Sequence, residues 1–282
     1  MKKNSCKKKN RTAVLSDMQP SAAKEFLSIP KKFRENQRVK DAILRIERDE
    51  EGKKRRVFIE KKGVASGESI LFYPSGKVEG RMFYQEGVLH GPSLFYSEEG
   101  SVLAESNFSH GKREGICKKF YSSGVLYARE TYCKDQLEGE QKYYYENQIP
   151  RSLIPYKKGK LHGKSLLYWS NGQVKRETFF SEGKREGLDC IWSEEGVLLD
   201  QGTYEKNQPV GWHRRWNKKG ILQEELFYHT SERFDKRVFD AKGSLCYERV
   251  FVDLKKVVEK QKEEGKWVEK VYDVHEIGPA FS

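Results

Sequence analysis

The chain has 282 residues, a formal net charge of +12 and an apolar content of 36%. Ordinary globular domains contain about 45–50% apolar residues, counted over a slightly different set, so the low share favours a single-layer sheet over a thick two-layer core. No apolar run approaches the ~18 residues that cross a bilayer, and Lys7, Lys8, Lys9 and Arg11 interrupt the stretch where a signal peptide needs its apolar segment. We predict neither a membrane span nor a cleaved signal.

The amino-terminal arm, residues 1–40, carries most of the positive charge. It holds twelve Lys/Arg against Asp17, Glu25 and Glu35, a net charge of +9, which leaves +3 for the rest of the chain. We predict a poorly ordered or short-helical arm. Besides a solvated tail, its charge allows two interpretations: contact with nucleic acid or an anionic membrane, and an export signal.

The five cysteines share no repeat position and form no CxxC pair: Cys6, Cys117, Cys133, Cys190 and Cys246. An odd number without such spacing argues against a disulfide framework and against a zinc site. We therefore expect a reducing compartment and predict a cytoplasmic protein, with export as a delivered effector as the alternative.

The repeat pattern begins in degenerate form near residue 43. Gly52 stands 24 residues before Gly76, and Gly63 stands 24 residues before Gly87. We predict strands at residues 43–48 and 55–61 as a first hairpin, an atypical capping unit of the kind that ends repeat arrays.

Seven blocks of 24 residues then follow without a gap. Each opens on a glycine: Gly67, Gly91, Gly115, Gly139, Gly163, Gly187 and Gly211. A fixed period of this length indicates a repeat array, in which each unit buries its apolar side against its neighbours. The sequence therefore predicts an all-β fold: an elongated, single-layer antiparallel sheet of about nine tandem 24-residue β-hairpins, with the array at residues 41–252.

Each block contains two turn signals. The first, typical of a type I turn with a G1 bulge, ends at Gly76, Gly100, Gly124, Gly172, Gly196 and Gly220. Gln148 replaces this glycine in one block, where we expect Asn147 to take the left-handed position. The second signal lies at the opposite end of the strand pair, at Gly87, Gly111, Asp135, Gly159, Gly183 and Asn207.

Two aromatic slots recur in every block. One stands four residues before the turn position: Phe72, Tyr96, Phe120, Tyr144, Tyr168, Trp192 and Trp216. The other stands eight residues after it: Tyr84, Phe108, Tyr132, Tyr156, Phe180, Tyr204 and Tyr228. Strand alternation places the second aromatic on the same face as an aliphatic slot six residues earlier, such as Val78. We expect this face to be the cohesive one.

The spacing loosens after Gly220, with glycines at 243 and 265. For residues 253–282 we predict a capping segment with two alternative structures. One is a divergent last hairpin through Trp267. The other is a helix with Asp253 as N-cap and with Leu254, Val257 and Val258 on one side. Either structure would cover the open edge of the sheet.

The glycine and aromatic spacing resembles the MORN repeat, and specifically the variant of bacterial YwqK-type proteins. The matching segments have an aromatic, two residues, Gly, three residues and Gly, as at Phe108 to Gly115, Tyr156 to Gly163 and Phe180 to Gly187. The resemblance extends over about residues 43–251, and Ser231 departs from it where glycine is expected. It implies a hairpin array that binds proteins and in some relatives lipid, and an antitoxin role in some YwqK-like proteins.

Residues for catalysis are not arranged in any recurring pattern. His90, His110 and His162 lie in or beside turns, but in different slots, and no Ser, Cys or Asp accompanies them at triad-like or ligand-like spacing. No phosphate-binding glycine loop of either common type occurs. We predict a non-enzyme with no cofactor and no metal.

Two sets of residues are candidate contacts. The repeat does not fix the position after the first aromatic, where Tyr73, Tyr121, Tyr145 and Trp169 stand, so these residues are a candidate partner surface. Coverage by the arm or tail, or stiffening of the strand pair, would equally explain them. The Lys-Arg pairs Lys112-Arg113 and Lys184-Arg185 are candidate anion contacts, with solvated turns as the alternative.

These observations predict a protein-interaction or scaffold module, antitoxin-like or a delivered effector in its specific form. The alternative is peripheral binding of anionic membrane or nucleic acid through residues 1–40, and a purely structural role is the third possibility. A partner protein is expected under the first hypothesis, while its identity is open.

Overall fold

The computed structural model describes residues 38–39, 42–252 and 256–273. Within these ranges the chain forms only strands, turns and bends, and no helix. The all-β prediction is confirmed, and the strands follow one another in antiparallel hairpin order. Except for the short strand at 38–39, the predicted arm lies outside the described residues, as do residues 253–255 and 274–282.

The chain divides into two compact units, and the first is Met1–Glu138. Its described strands are β1 (Arg38–Val39), β2 (Ala42–Arg48), β3 (Lys54–Lys61), β4 (Val64–Phe72), β5 (Val78–Gln85), β6 (Val88–Tyr96), β7 (Val102–Ser109), β8 (Lys112–Arg113), β9 (Gly115–Phe120), β10 (Leu126–Cys133) and β11 (Gln136–Leu137). The predicted first hairpin is confirmed as β2 and β3, which pair from Ala42 with Lys61 to Arg48 with Lys54.

The second unit is Gly139–Ser282. Its described strands are β12 (Gly139–Tyr144), β13 (Pro150–Lys157), β14 (Lys160–Leu161), β15 (Gly163–Tyr168), β16 (Val174–Ser181), β17 (Lys184–Trp192), β18 (Leu198–Glu205), β19 (Gln208–Trp216), β20 (Leu222–Tyr228), β21 (Phe234–Phe239), β22 (Leu245–Phe251), β23 (Lys256–Glu263) and β24 (Lys266–Asp273). Each of these strands pairs antiparallel with its sequence neighbour or, across a two-residue strand, with the next strand along.

The turn after the first aromatic has the predicted geometry. In the first full block the N–H of Gly76 donates to the carbonyl of Tyr73 at 2.9 Å, and Gly76 has φ +85°. The prediction for the block without glycine was wrong, because Gln148 itself takes the left-handed position with φ 65°. The side-chain oxygen of Asn147 instead accepts a hydrogen bond from the N–H of Ile149 at 3.1 Å. Asn147 therefore stabilises the turn through its side chain and not through a left-handed backbone.

The turns at the opposite ends of the strands have two residues, both at positive φ. The pairs Glu86-Gly87 and Lys206-Asn207 are examples, with φ 51° and 80° in the first and 50° and 77° in the second. Two successive positive φ values define a type I′ turn, whose twist matches that of the flanking strands. Gly, Asp and Asn therefore stand at the second position of these turns because they tolerate it best.

One extra residue in each hairpin overturns the predicted assignment of faces. Leu71 pairs with Gly80 but Phe72 pairs with Val78, so Glu79 is a β-bulge residue. The same shift recurs in the other blocks, for example between Leu167 and Tyr168. Because a bulge interrupts strand alternation, the second aromatic and the aliphatic slot lie on opposite faces, and the prediction that they share one was wrong.

We name the two faces by their aromatic slots. The tyrosine face carries the second aromatics, which are Tyr84, Phe108 and Tyr132 in unit one and Tyr156, Phe180, Tyr204 and Tyr228 in unit two. The tryptophan face carries the first aromatics, which are Phe72, Tyr96 and Phe120 in unit one and Tyr144, Tyr168, Trp192 and Trp216 in unit two.

The tyrosine face buries mainly small and polar side chains beside its aromatics. The third residue of each block lies there: Ser69, Ser93 and Cys117 in unit one, and Gln141, Ser165, Asp189 and His213 in unit two. All except His213, which is half-buried, are buried. Buried polar groups need partners, and those of this column include Arg56 for Ser69 and Thr178 for Asp189.

His213 occupies this column between two tyrosines. Its ring centroid lies 5.1 Å from that of Tyr204 and 4.9 Å from that of Tyr228, and its Nε2–H donates to the carbonyl of Thr203 at 2.9 Å. Burial lowers the pKa of His213, although the Thr203 carbonyl, Asp200 and Asp189 oppose the shift and Arg185 adds to it. The fold therefore favours the neutral imidazole.

We predict a loss of stability in mild acid that depends on His213. A lowered pKa in the folded state means that the unfolded chain, with a histidine pKa of about 6.5, binds the proton more readily. Stability from this group is complete above the unfolded value and is lost as the pH falls through it towards the folded value. Thermal midpoints of wild type and His213→Gln between pH 8 and 5 test this, since glutamine occupies the same slot at position 141. Parallel pH curves would contradict the prediction.

Residues 256–273 of the predicted capping segment form a hairpin. Strands β23 and β24 pair over eight consecutive positions, and a two-residue turn at Glu264 and Gly265 joins them. Of the two predicted alternatives, the helix starting at Asp253 was wrong, because Val257 and Val258 lie in β23.

Candidate binding surface

The residues predicted as a partner surface begin the turns and bond to the following repeat. The hydroxyl of Tyr73 donates to the carbonyl of Tyr96 at 2.7 Å in unit one, and that of Tyr145 donates to the carbonyl of Tyr168 at 2.8 Å in unit two. Trp169 Nε1–H donates to the carbonyl of Trp192 at 3.1 Å. Each bond joins a residue to the one 23 positions later. The polar atoms of these partly exposed side chains thus link each of these turns to the next one by a hydrogen bond.

The fourth member, Tyr121, is also partly exposed, and its ring packs edge to face on Tyr127 at 5.2 Å between centroids. Blocks without an aromatic in this slot use it differently. Ser193 accepts the N–H groups of Glu195 and Val197, and Asn217 accepts those of Lys219 and Ile221, so each caps its own turn. The variation that suggested a partner surface therefore also has a structural explanation, and the surface stays a prediction.

We predict that Tyr145→Phe lowers the free energy of unfolding by about 1 kcal/mol, because it removes one inter-repeat hydrogen bond while keeping the ring. Asn147 also donates to the carbonyl of Ser170 at 3.1 Å, so the adjacent turns keep a second link and the fold should survive. Urea denaturation followed by circular dichroism measures the change. Equal denaturation midpoints would show that the bond contributes nothing.

Of the four candidate anion contacts, the two arginines are already engaged. Arg113 lies over the ring of Tyr132 at 4.1 Å, and its Nε is 3.2 Å from Asp135 Oδ1. Arg185 lies over the ring of Tyr204 at 3.8 Å, and its Nη1 is 3.6 Å from a carboxylate oxygen of Asp189. The lysines Lys112 and Lys184 are exposed on the turn edges of their units.

The backbone N–H groups of Arg113 and Arg185 are held by hydrogen bonds to side chains of the neighbouring turn. The backbone N–H of Arg113 donates to Asp135 Oδ1 at 2.9 Å, and this bond, with that of the guanidinium, lowers the pKa of Asp135. Asn207 accepts the N–H of Arg185 at 2.7 Å in the equivalent position. An anion at these turns would therefore meet the lysines first.

The histidines singled out from the sequence do not form a metal site. His90 and His110 meet edge to face in unit one with centroids 5.3 Å apart, and His162 lies in unit two with its Nδ1 4.0 Å from Glu182 Oε1. Among the described residues, no group of three or more His, Cys, Asp or Glu is arranged to hold a metal ion.

An exposed apolar row lies on the tryptophan face of unit two. It consists of Phe179, Leu188, Trp212 and Phe227, on strands β16, β17, β19 and β20. The first three are 38%, 41% and 41% exposed, and the Trp212 and Phe227 ring centroids are 5.0 Å apart. Large apolar side chains clustered in this way on a surface are typical of protein contacts.

A ladder of charges borders the apolar row on the same face. Arg214 binds Glu225 at 2.7 Å, and Arg237 binds Glu248 at 2.7 Å, with Arg237 also 4.0 Å from Glu225. The Arg214 guanidinium lies 5.1 Å from the centroid of the Trp212 ring, so the ladder and the row are in contact. An apolar centre beside a polar border is the common arrangement of a protein interface.

Sequence reasoning missed the apolar row because it examined only the slot after the first aromatic. Leu188 and Trp212 directly follow an opening glycine, while Phe179 and Phe227 directly precede a second aromatic. Other blocks have Glu68 or Glu140 after the opening glycine, so this slot also varies. The available signal was that large apolar residues replace charged or smaller polar residues in these two slots in some blocks.

Comparison with known families supports the repeat assignment. A family model matches residues 65–86, 113–134, 137–158 and 161–182. These four segments match the MORN repeat variant. The matches support the MORN repeat family, and they do not reach the more specific YwqK-type group.

The MORN repeat matches agree with the geometry. The segment 161–182 begins at β14, includes the type I turn between β15 and β16, and ends in the type I′ turn after β16. No curated protein matches the chain at a significant level. MORN repeats are in general non-enzymatic modules that bind proteins or membranes. No helix long and apolar enough to cross a membrane occurs in the described part of the chain.

Proposed function

We propose that this chain is a non-enzymatic protein-binding module that holds a protein partner on the apolar row of unit two. The observation that carries the proposal is the exposure of Phe179, Leu188 and Trp212 on one face of strands β16, β17 and β19. The backbone beneath these side chains is already hydrogen-bonded in the sheet, so binding does not have to order it. The bordering pairs such as Arg214–Glu225 are satisfied within the chain, so the partner does not have to neutralise a buried charge.

The test compares capture of partners by wild type, by Leu188→Asp with Trp212→Ala, and by a matched control. The control is Val88→Asp, which also places an acid at an exposed apolar position but lies in unit one. Loss of a tryptophan and a leucine from the centre of an interface commonly costs about 2 kcal/mol or more, so we expect the row variant to retain about 30-fold less partner. Equal retention by all three proteins would overturn the proposal.

The slot of Tyr73, Tyr121, Tyr145 and Trp169 is a second proposed contact on the turn edges. In unit two, Lys175 Nζ lies 4.2 Å from the Trp169 ring centroid, so cationic and aromatic groups are presented together there. Alanine at Tyr121, Tyr145 and Trp169 together should reduce the amount of captured partner. Unchanged recovery of every partner would exclude this surface and leave the row alone.

The alternative function is binding of anionic membrane or nucleic acid through residues 1–40. Its support is the excess of twelve basic over three acidic residues in this arm, with the exposed Lys112 and Lys184 as further contacts. Such binding weakens steeply with salt. We expect retention of vesicles or nucleic acid only at low salt and only by the full chain. Retention of the same ligand by residues 41–282 at high salt would contradict this alternative.

The finer form of the proposal is a cytoplasmic, bacterial, antitoxin-like protein, as the YwqK-type resemblance implies. The cysteines at 117, 133, 190 and 246 are free thiols, which supports a reducing compartment. The identity of the captured protein separates this form from a delivered effector, because a toxin from the same cell supports the first and a protein from another cell supports the second.

A further inference from the structure

The outer edge of strand β24, on the side away from β23, is regular. β24 pairs with β23 over eight consecutive positions, from Lys256 with Asp273 to Glu263 with Lys266, without a bulge. Among the described residues, β23 is the strand that pairs with β24, and the opposite side has no partner. An edge of this kind presents a row of backbone N–H and C=O groups that can pair with another chain.

This edge has only one of the usual devices that prevent pairing, which is charge. It has no proline and no bulge, and it carries two exposed apolar side chains, Trp267 at 46% and Val271 at 58%. Its charges are of both signs, at Lys266, Glu269, Lys270 and Asp273, so a strand with the complementary order of charges can still pair with it.

The inner neighbour of β24 shows which sequence pattern fits these charges. In the β23–β24 pairing, Glu259 stands opposite Lys270, and Lys260 stands opposite Glu269 with a 3.1 Å contact. The ends of the pairing match in the same way, with Lys256 opposite Asp273 and Glu263 opposite Lys266. Opposite charges directly across an antiparallel pair stabilise it. The order of charges in β24 therefore selects an antiparallel strand with the order of β23.

A second copy of β24 does not satisfy this pattern. A symmetric antiparallel pair has its two-fold axis perpendicular to the sheet, so some residue stands opposite its own copy. An axis at Glu269 or at Lys270 places like charges opposite each other. A shift by one more residue in either direction places Lys266 opposite Lys270, or Glu269 opposite Asp273. Since like charges directly opposite are destabilising, the edge disfavours symmetric self-pairing.

We propose that the outer edge of β24 binds an extended segment of another protein as an additional antiparallel strand. The segment has acidic side chains facing Lys266 and Lys270, basic side chains facing Glu269 and Asp273, and an apolar side chain facing Val271. Backbone hydrogen bonds supply most of the affinity, and the charge order supplies the specificity. This surface is separate from the apolar row, so either can fail without the other.

The first test uses a peptide with the β23 sequence, KVVEKQKE, acetylated, amidated and fluorescently labelled, and the full chain. A second peptide carries Glu259→Lys and Lys260→Glu. We expect wild type to prefer the first peptide about tenfold in fluorescence anisotropy titrations, because two cross-strand pairs change from attraction to repulsion. Absence of binding up to about 1 mM, or equal binding of both peptides, would overturn the proposal.

A matched variant of the chain inverts the charges on the outer edge of β24 while keeping opposite charges across the β23–β24 pair. Glu259→Lys, Lys260→Glu, Glu269→Lys and Lys270→Glu together preserve opposite charges between β23 and β24 but invert the central charges of the outer edge. This variant should prefer the second peptide by a similar factor. An unchanged preference would show that the peptide binds elsewhere.

Hydrogen exchange on the wild-type chain locates the peptide independently of any variant. Saturating peptide should slow amide exchange within residues 266–273, because half of these N–H groups gain partners. Amides of β16 to β20, below the apolar row, should exchange at their original rates. Binding that leaves exchange in 266–273 unchanged would refute strand addition.

Discussion

Replacing Asp189 by Asn should lower the free energy of unfolding by about 2 kcal/mol. Asp189 is buried on the tyrosine face, where its carboxylate accepts two bonds from Arg176, at 2.6 and 2.9 Å, and one from Thr178 at 3.0 Å. Asparagine keeps the shape but leaves the positive charge of Arg176 without a counter-ion. Breaking a fully buried pair costs about 3–5 kcal/mol, and the Arg176 side chain remains 37% exposed, so solvent reduces the cost.

Two further variants test whether the lost stability comes from the unpaired charge of Arg176. Arg176→Met with Asp189→Leu removes both charges and should restore most of the stability, because apolar replacement of a buried pair is commonly neutral. Glu182→Gln is the surface control, since the Lys160 and Glu182 side chains are 61% and 65% exposed and such pairs contribute little. Denaturant midpoints of the four proteins measure the effects. A loss as large in Glu182→Gln as in Asp189→Asn would contradict the argument.

Gly202→Ala should be the other strongly destabilising change, at about 2 kcal/mol. Gly202 pairs with His213, and an added Cβ would overlap the imidazole ring of that residue. The ring cannot easily move away, because the rings of Tyr204 and Tyr228 contact it on both sides. Overpacking of this kind typically costs about 1–3 kcal/mol.

The companion variant for Gly202→Ala is the same change with His213→Ser. Serine occupies the His213 slot in other blocks, for example at position 93, where it pairs with Met82 of the preceding strand as His213 pairs with Gly202. We expect the double variant to recover part of the stability that Gly202→Ala loses, giving a positive coupling in a double-mutant cycle. Additive losses would show that the ring and the glycine do not constrain each other.

The sequence allowed prediction of the hairpins because their signals are local. Turn positions such as Gly76 and Asn207 require left-handed backbone, and this requirement appears directly as residue type. The 24-residue period then fixed the pairing order, including the degenerate first hairpin at β2 and β3. Gln148 shows the limit of this reasoning, since tight turn bonding on both sides forces a residue of ordinary preference into φ 65°.

The faces were not predictable in the same way because a bulge leaves no compositional mark. The bulge residues Glu79 and Lys175 are of a type found at any exposed strand position. One such residue per hairpin reverses which face a side chain occupies. Assigning Phe179 and Trp212 to one exposed face likewise requires the observed register.

The candidate partner and anion contacts show a different limit of prediction from sequence. Tyr145 and Trp169 were singled out because the repeat does not fix their positions, but their hydrogen bonds to the carbonyls of residues 168 and 192 depend on the distance between adjacent turns. Arg113 and Arg185 were predicted as anion contacts from charge alone, and their stacking on Tyr132 and Tyr204 was not visible in the order of residues. Contacts 19 residues apart need coordinates.

The hydrogen bonds of Tyr73, Tyr145 and Trp169, each to the carbonyl 23 residues later, give the array a direction. Because the donor in Tyr145 reaches only the following block, the block is also the unit by which such an array can lengthen or shorten. One block adds two strands, or roughly 10 Å of sheet. It also adds one more position of every variable slot. Gain or loss of whole blocks therefore changes the length of the sheet in fixed steps to suit a larger or smaller partner. Each added block brings its own side chains at the variable positions.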